Sequence, residues 1–187
     1  MVVAADAALA AELVTDEQRP ALDDYLVEVR KETEINRLST DRPKTGVFLG
    51  VHATNPLTGT RIPVYAADYV LADYGTGAIM AVPGQDQRDW DFAKAFDLPI
   101  VRTVAPPEDW EGEAFTGDGP AINSANDEID LSGMGVAEAK STTIAYLEAR
   151  AWGGARSTSG CATGCCRVSA TWGAPIPIIH CPVDGEV

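Results

Sequence analysis

Positive charge is scarce in this chain. Fourteen Lys and Arg stand against 28 Asp and Glu, a formal net charge of −14 at pH 7. Nucleic-acid affinity rests largely on neutralising phosphates with Lys and Arg, so this balance argues against broad phosphate-backbone binding. Any contact with nucleic acid is expected to be local, with a partner domain supplying the positive charge. Long hydrophobic runs are missing too. The stretch VVAADAALAAELV is apolar but short, carries Asp6 and Glu12, and lacks the basic flank of a signal peptide. A cytoplasmic location with no membrane contact is the expectation. Histidine is nearly absent: His52 falls on a strand pattern and His180 near the end, and both read as structural rather than catalytic. No Cys-x-x-Cys pair occurs, which removes a thioredoxin-like redox motif. Four cysteines without a secretory leader read as reduced thiols, not a disulfide framework. Neither an internal repeat nor a low-complexity tract is present.

What remains is ordinary globular material, 45% apolar and 22% charged over 187 residues. That is enough for one domain with a core and a fragment of a second. Residues 3–14 read as a short helix. Residues 20–38 read as a longer one, with Pro20 suited to a first helical position and an apolar stripe through Leu22, Tyr25, Leu26, Val29, Thr33 and Asn36. Residues 45–83 turn β-rich. NPLTGT forms a hairpin loop, followed by strands over 62–72 and 77–82 joined through DYGTG. Residues 85–97 read as a helix, with Trp90, Ala93 and Phe96 at helical spacing and acids in its first turn. A strand is expected from Pro99-Ile100-Val101, loop over 105–133, and a last helix over about 135–151 with Val136, Thr143, Ile144 and Leu147 on its apolar side.

Two stretches could carry chemistry. YGTGAIM, residues 74–80, contains Gly-x-Gly after a strand, but Met80 stands where a dinucleotide fingerprint needs a small residue, and the next element reads as a strand. A tight turn is the plainer reading. MAVPGQDQRDWDFA, residues 80–93, ends a strand at Val82, turns at Pro83-Gly84 and opens a helix with Asp86 and Asp89. Three apart, the two carboxylates can share a face, where they could orient water, bind an ammonium group or hold a metal. Helix capping and dipole complementation compete with all three readings.

Residues 45–104, with the block DYGTGAIMAVPG-D-RD at their centre, closely resemble the editing domain of bacterial leucyl-tRNA synthetase. The likeness extends through EAFTGDGPAINS and the 135–151 helix, and upstream through VRKETEINRLSTDRPKTGVF, so it covers nearly all of residues 1–152. The fold class it implies is α/β: the synthetase editing-domain fold, a β-barrel-like core with surrounding helices, here N-terminally truncated. The family is a class I ligase that joins leucine to tRNA(Leu) with ATP and Mg. Its editing domain hydrolyses tRNA(Leu) mischarged with norvaline or isoleucine. The resemblance implies that Asp89 receives the α-ammonium of the misacylated amino acid, with Asp86 as its supporting neighbour. Tyr74, Gly75, Thr76, Gly77, Met80 and Val82 then line the pocket for amino acid and terminal adenosine. It implies no cofactor or metal in this segment, a monomer, and tRNA(Leu) as partner through the longer enzyme. The family's threonine-rich loop, which forms the other wall of the pocket, and its HIGH-type and KMSKS-type ATP motifs have no counterpart in these residues. A scaffold without catalysis is therefore the alternative, and a metal-binding domain a weaker one.

One run departs from the family. STSGCATGCCRVSATWGAPIP, residues 157–177, holds Cys161, Cys165 and Cys166, yet its end matches the family's return to the catalytic body. Gly160 to Arg167 can be written GGC TGC GCG ACT GGC TGT TGT CGC. From the third base the same letters give Leu-Arg-Asp-Trp-Leu-Leu-Ser, and the next codons continue to Arg-Gln-Arg-Tyr before Trp172, which is the family's own sequence. The expected organisation is thus an editing domain over 1–152 lacking its first strands, a frame-shifted or irregular linker over 153–171, and the start of the return over 172–187. The coding DNA decides this. Zinc is the rival reading, but adjacent Cys165 and Cys166 fit no common ligand spacing, and Asp184 stands where Cys181 would need a partner cysteine.

Overall fold

The computed structural model describes residues 1–32, 42–72, 76–154, 180–181 and 185–186. Its centre is a four-stranded sheet of order β2-β3-β1-β4, built from β1 (Val2–Ala4), β2 (Gly46–Thr54), β3 (Arg61–Ala67) and β4 (Ala78–Ile79). Six further elements complete the description. These are α1 (Ala8–Leu13), α2 (Arg19–Val29), α3 (Gln87–Ala95), α4 (Val136–Ala149) and a small antiparallel pair, β5 (His180–Cys181) with β6 (Gly185–Glu186). The expected barrel-like core is corrected here. Among the described residues the sheet is open, because β2 and β4 are its two edges and do not pair with each other.

The β2–β3 hairpin forms where the alternating pattern placed it. Asn55 shapes the loop: its side-chain oxygen accepts from the Leu57 N–H at 2.9 Å, and its carbonyl accepts from the Gly59 N–H at 2.8 Å. Such Asx geometry, with Gly59 at φ 67°, is why NPLTGT turns the chain. The ladder breaks between Phe48 and His52, where Gly50 adopts φ 83°. A Cβ there would lie 2.2 Å from Thr15 Oγ1, so glycine meets both a steric and a conformational demand.

Residues 3–14 are helical only over Ala8–Leu13. Val2 to Ala4 instead form the central strand, parallel to β3 (Val3 opposite Ala66) and antiparallel to β4 (Val3 opposite Ala78). Tertiary pairing overrides the local apolar pattern: three buried residues gain two strand neighbours, which no short helix offers. Period-two alternation then sends Val3 to one face and Val2 and Ala4 to the other. The first face joins Ala10, Val14, Leu22, Val29, Leu49 and Val64 under α1 and α2. The second joins Ala67, Tyr69, Val70 and Phe92 under α3. On α2 the expected stripe holds through Leu22 and Val29, which are buried, and Tyr25 and Leu26, which pack against them. Thr33 and Asn36 lie outside the described residues.

The strand expected at 62–72 stops at Ala67, and that at 77–82 holds only Ala78–Ile79. No named strand starts at Pro99; Val104 makes a single bridge to Ala121. Pro99 has no N–H to offer a ladder, and Val101 is 57% exposed. No described helix is long and apolar enough to cross a membrane.

Candidate functional site

Helix α3 carries both candidate carboxylates, and its placement explains their different surroundings. Asp86 is the N-cap. Its backbone is extended, and its Oδ1 accepts from the N–H groups of Arg88 at 2.8 Å and Asp89 at 3.4 Å. Its Oδ2 faces the Arg88 guanidinium at 3.4 Å. An aspartate in this position satisfies two helix-end donors and complements the helix dipole. Asp86→Ala is expected to destabilise the fold by about 0.5–2 kcal/mol, read as a lower urea midpoint. The sharing of one face is therefore only partial: Asp86 closes the helix end, and Asp89 alone turns into the protein.

Asp89 is 4% exposed. It stands at the head of an inward stripe with Phe92, Ala93 and Phe96, the i, i+3, i+4, i+7 positions of one helical face. Trp90 lies half-buried off that stripe, with the Arg102 guanidinium 5.3 Å from its ring. Two neutral donors hold the Asp89 carboxylate: the Tyr69 hydroxyl to Oδ1 at 2.8 Å and the Val82 N–H to Oδ2 at 2.7 Å. The Val82 bond also explains why β4 is short, since that N–H is committed to a side chain rather than to a ladder.

Burial pushes the Asp89 carboxyl above its ordinary value. The hydrogen bonds from Val82 and Tyr69 pull it back, Asp86 pushes further up, and Arg88 pulls down. Tyr69 is pushed upward by burial first and by the Asp89 charge second, so its phenol stays protonated and remains a donor. The Met1 α-ammonium donates to the Pro63 carbonyl at 2.9 Å. Burial lowers it to about 6, against a partial counter-pull from Asp89.

The other expected lining residues scatter. Gly77, at φ 69°, presents its carbonyl to the Ala4 N–H at 2.7 Å and so ties the site segment to β1. Thr76 is exposed, with its hydroxyl 3.5 Å from the Ala78 carbonyl. Met80 and Val82 are half-buried. Tyr74 and Gly75 lie outside the described residues, as do Cys161, Cys165, Cys166 and all of 155–171. A cavity of about 460 Å³ opens on the α2 side, bordered by Tyr25, Arg42, Lys44, Asp68 and Phe96 among others; neither Asp86 nor Asp89 lines it. Tyr69 is the site residue that sequence reasoning missed. A buried acid on the apolar face of a helix demands a buried donor, and a tyrosine at a strand exit is the residue type that supplies one.

An open sheet bearing a capped helix, with a buried acid held by two donors on its inner face, defines an α/β domain. Comparison with known proteins narrows the class. The family described as "Leucyl-tRNA synthetase, editing domain" matches residues 1–148. The leucine–tRNA ligase of Nocardioides sp. is 59% identical over 100% of this chain and 22% of its own length. That of Salinispora tropica is 54% identical over 87% of this chain and 17% of its own. A solved LeuRS–tRNA–LeuAMS ternary complex from Agrobacterium radiobacter aligns with a TM-score of 0.54 at 25% identity, covering 100% of this chain and 20% of that one. The chain belongs to the leucyl-tRNA synthetase editing-domain family, and it spans about a fifth of the length of the curated relatives it matches.

Proposed function

We propose that this segment provides a deacylation site for tRNA(Leu) carrying a non-cognate amino acid such as norvaline or isoleucine, within an enzyme that ligates leucine to tRNA(Leu) using ATP and Mg. The observation that carries this reading is the buried Asp89 carboxylate held by two neutral donors. Desolvation disfavours its charge, so an arriving α-ammonium would gain an electrostatic partner worth more than in bulk water: about 4 kcal/mol at 4 Å for an effective dielectric of 20, against about 1 kcal/mol in water. That contact would fix the amino-acid end of the ester. Water then adds its oxygen to the carbonyl carbon, the bond from that carbon to the ribose oxygen breaks, and the ribose oxygen takes a proton. The products are free amino acid and uncharged tRNA. Positioning and charge stabilisation supply the acceleration, and no covalent intermediate is required. The strongly acidic surface confines RNA contact to the aminoacyl end, with the rest of a monomeric enzyme holding the tRNA.

A second reading, a scaffold without hydrolysis, draws on one observation: Asp89 is nearly closed from solvent, and the α2-side cavity lies elsewhere. The two are separated by grafting residues 1–148 into the Nocardioides ligase in place of its own segment and assaying Ile-tRNA(Leu) against Leu-tRNA(Leu). Selective hydrolysis of the isoleucyl ester supports the site; hydrolysis no faster than in buffer supports the scaffold.

A further inference from the structure

We propose that Tyr69 is a positioning residue for this deacylation: its hydroxyl, with the Val82 amide, fixes the plane of the Asp89 carboxylate and leaves one acceptor position on each oxygen for the substrate α-ammonium. The inference rests on the proposed role of Asp89. Each carboxylate oxygen offers two acceptor sites. Tyr69 fills one on Oδ1 at 2.8 Å, and the Val82 N–H fills one on Oδ2 at 2.7 Å. Two donors on different oxygens prevent rotation about the Cβ–Cγ bond, which a single donor does not. The remaining two positions are the ones that an ammonium with several N–H donors would take.

Tyr69 is built to stay where it is. It is 4% exposed, and its ring packs on Phe92 at 5.5 Å between centroids. The Lys44 ammonium stands 6.0 Å from the ring centroid. Phe92 also lies on α3, so donor and acceptor are seated on the same aromatic cluster. The donor comes from the chain just beyond β3, and the acceptor from α3, 20 positions later. Tyr69 therefore couples the sheet to the helix at a buried carboxylate. The groups that bear on Asp89 electrostatically are Tyr69 itself, Asp86, Arg88 and the Met1 α-ammonium. Among them the Tyr69 hydroxyl donates directly to the carboxylate, and it favours the ionised form that an ammonium needs.

The test is Tyr69→Phe, which keeps the ring and deletes the donor, with Tyr65→Phe as control, since Tyr65 packs on the same Phe92 at 5.6 Å. In the 187-residue chain, the Asp89 carboxyl carbon is followed by NMR through a pH titration, assigned by its loss in Asp89→Asn. Tyr69→Phe should move this titration to higher pH, and Tyr65→Phe should leave it in place. In the grafted Nocardioides ligase, Tyr69→Phe should lower kcat/KM on Ile-tRNA(Leu) roughly threefold to tenfold at pH 6, through KM first, with a smaller loss at pH 8. A loss of the same size at every pH means that Tyr69 only packs, and it overturns the inference. So does an Asp89 titration unchanged by Tyr69→Phe, or one at the ordinary aspartate value in the unmodified chain. If Asp89→Asn keeps full hydrolysis, the underlying site has failed. If Asp89→Asn is inactive while Tyr69→Phe shows no pH-dependent loss, only the role given to Tyr69 has failed.

Discussion

Asp89→Asn is expected to reduce hydrolysis of Ile-tRNA(Leu) by about 10²-fold or more while leaving the fold at least as stable at neutral pH. Asparagine is isosteric with aspartate, and it can still engage both of the protein groups that hold the carboxylate. Its side-chain oxygen takes the Val82 N–H, and its NH₂ donates to the Tyr69 hydroxyl, which can accept as well as donate. What disappears is the negative charge. Asp89→Ala should behave differently. It strands two buried donors, at about 1–3 kcal/mol each, so its loss of activity would be confounded with loss of structure. The pH dependence separates the effects further. The folded-state value of Asp89 is raised above that of the unfolded chain, so the folded state holds the extra proton. The associated stability is therefore present at low pH and lost as pH rises through the folded-state titration. Asp89→Asn should remove this decline from urea midpoints measured upward from pH 4. Met1 works in the opposite sense: its folded value of about 6 lies below the ordinary 8.0, so stability rises with pH across that interval. Hydrolysis that survives in a folded Asp89→Asn variant would remove Asp89 from its role.

Phe92→Ala should cost the most stability, about 3–5 kcal/mol, a large share of the 5–15 kcal/mol that typically holds a domain together. Phe92 is 1% exposed and touches Tyr65 at 5.6 Å, Tyr69 at 5.5 Å and Phe96 at 4.4 Å between centroids. Truncation leaves a cavity between α3 and the sheet and frees the helix that carries Asp89. Phe92→Leu, which fills most of that space, should cost less than half as much. Urea unfolding of the three proteins checks the order. A Phe92→Ala effect below about 1 kcal/mol would show that α3 is not anchored through this ring.

The hairpin and α3 were legible because their signals are local. Asn55 and Gly59 make the turn, and Asp86 and Pro83-Gly84 announce a helix start. Strand β1 was not legible. Val2-Val3-Ala4 suits a strand as well as a helix, and its partners, Tyr65 to Ala67 and Ala78-Ile79, lie more than 60 positions away. The expected 77–82 strand was overextended for a related reason: nothing local reveals that the Val82 N–H is taken by Asp89. Asp86 and Asp89 were found together by spacing and family likeness, but spacing cannot tell a cap from a buried acid. That distinction comes from the stripe of Phe92, Ala93 and Phe96, which begins at Asp89 and excludes Trp90.

Strand β1 also constrains the order in which the molecule can assemble. Among the described residues, Val2 to Ala4 join the β2–β3 hairpin to the site-bearing β4 within the sheet. On a ribosome these residues emerge before both of their partners, and their docking slot is not complete until Ile79 has followed them out. Until then Val2 and Val3 have nowhere dry to go. The segment carrying β4 is thus locked in place late, by residues made long before it.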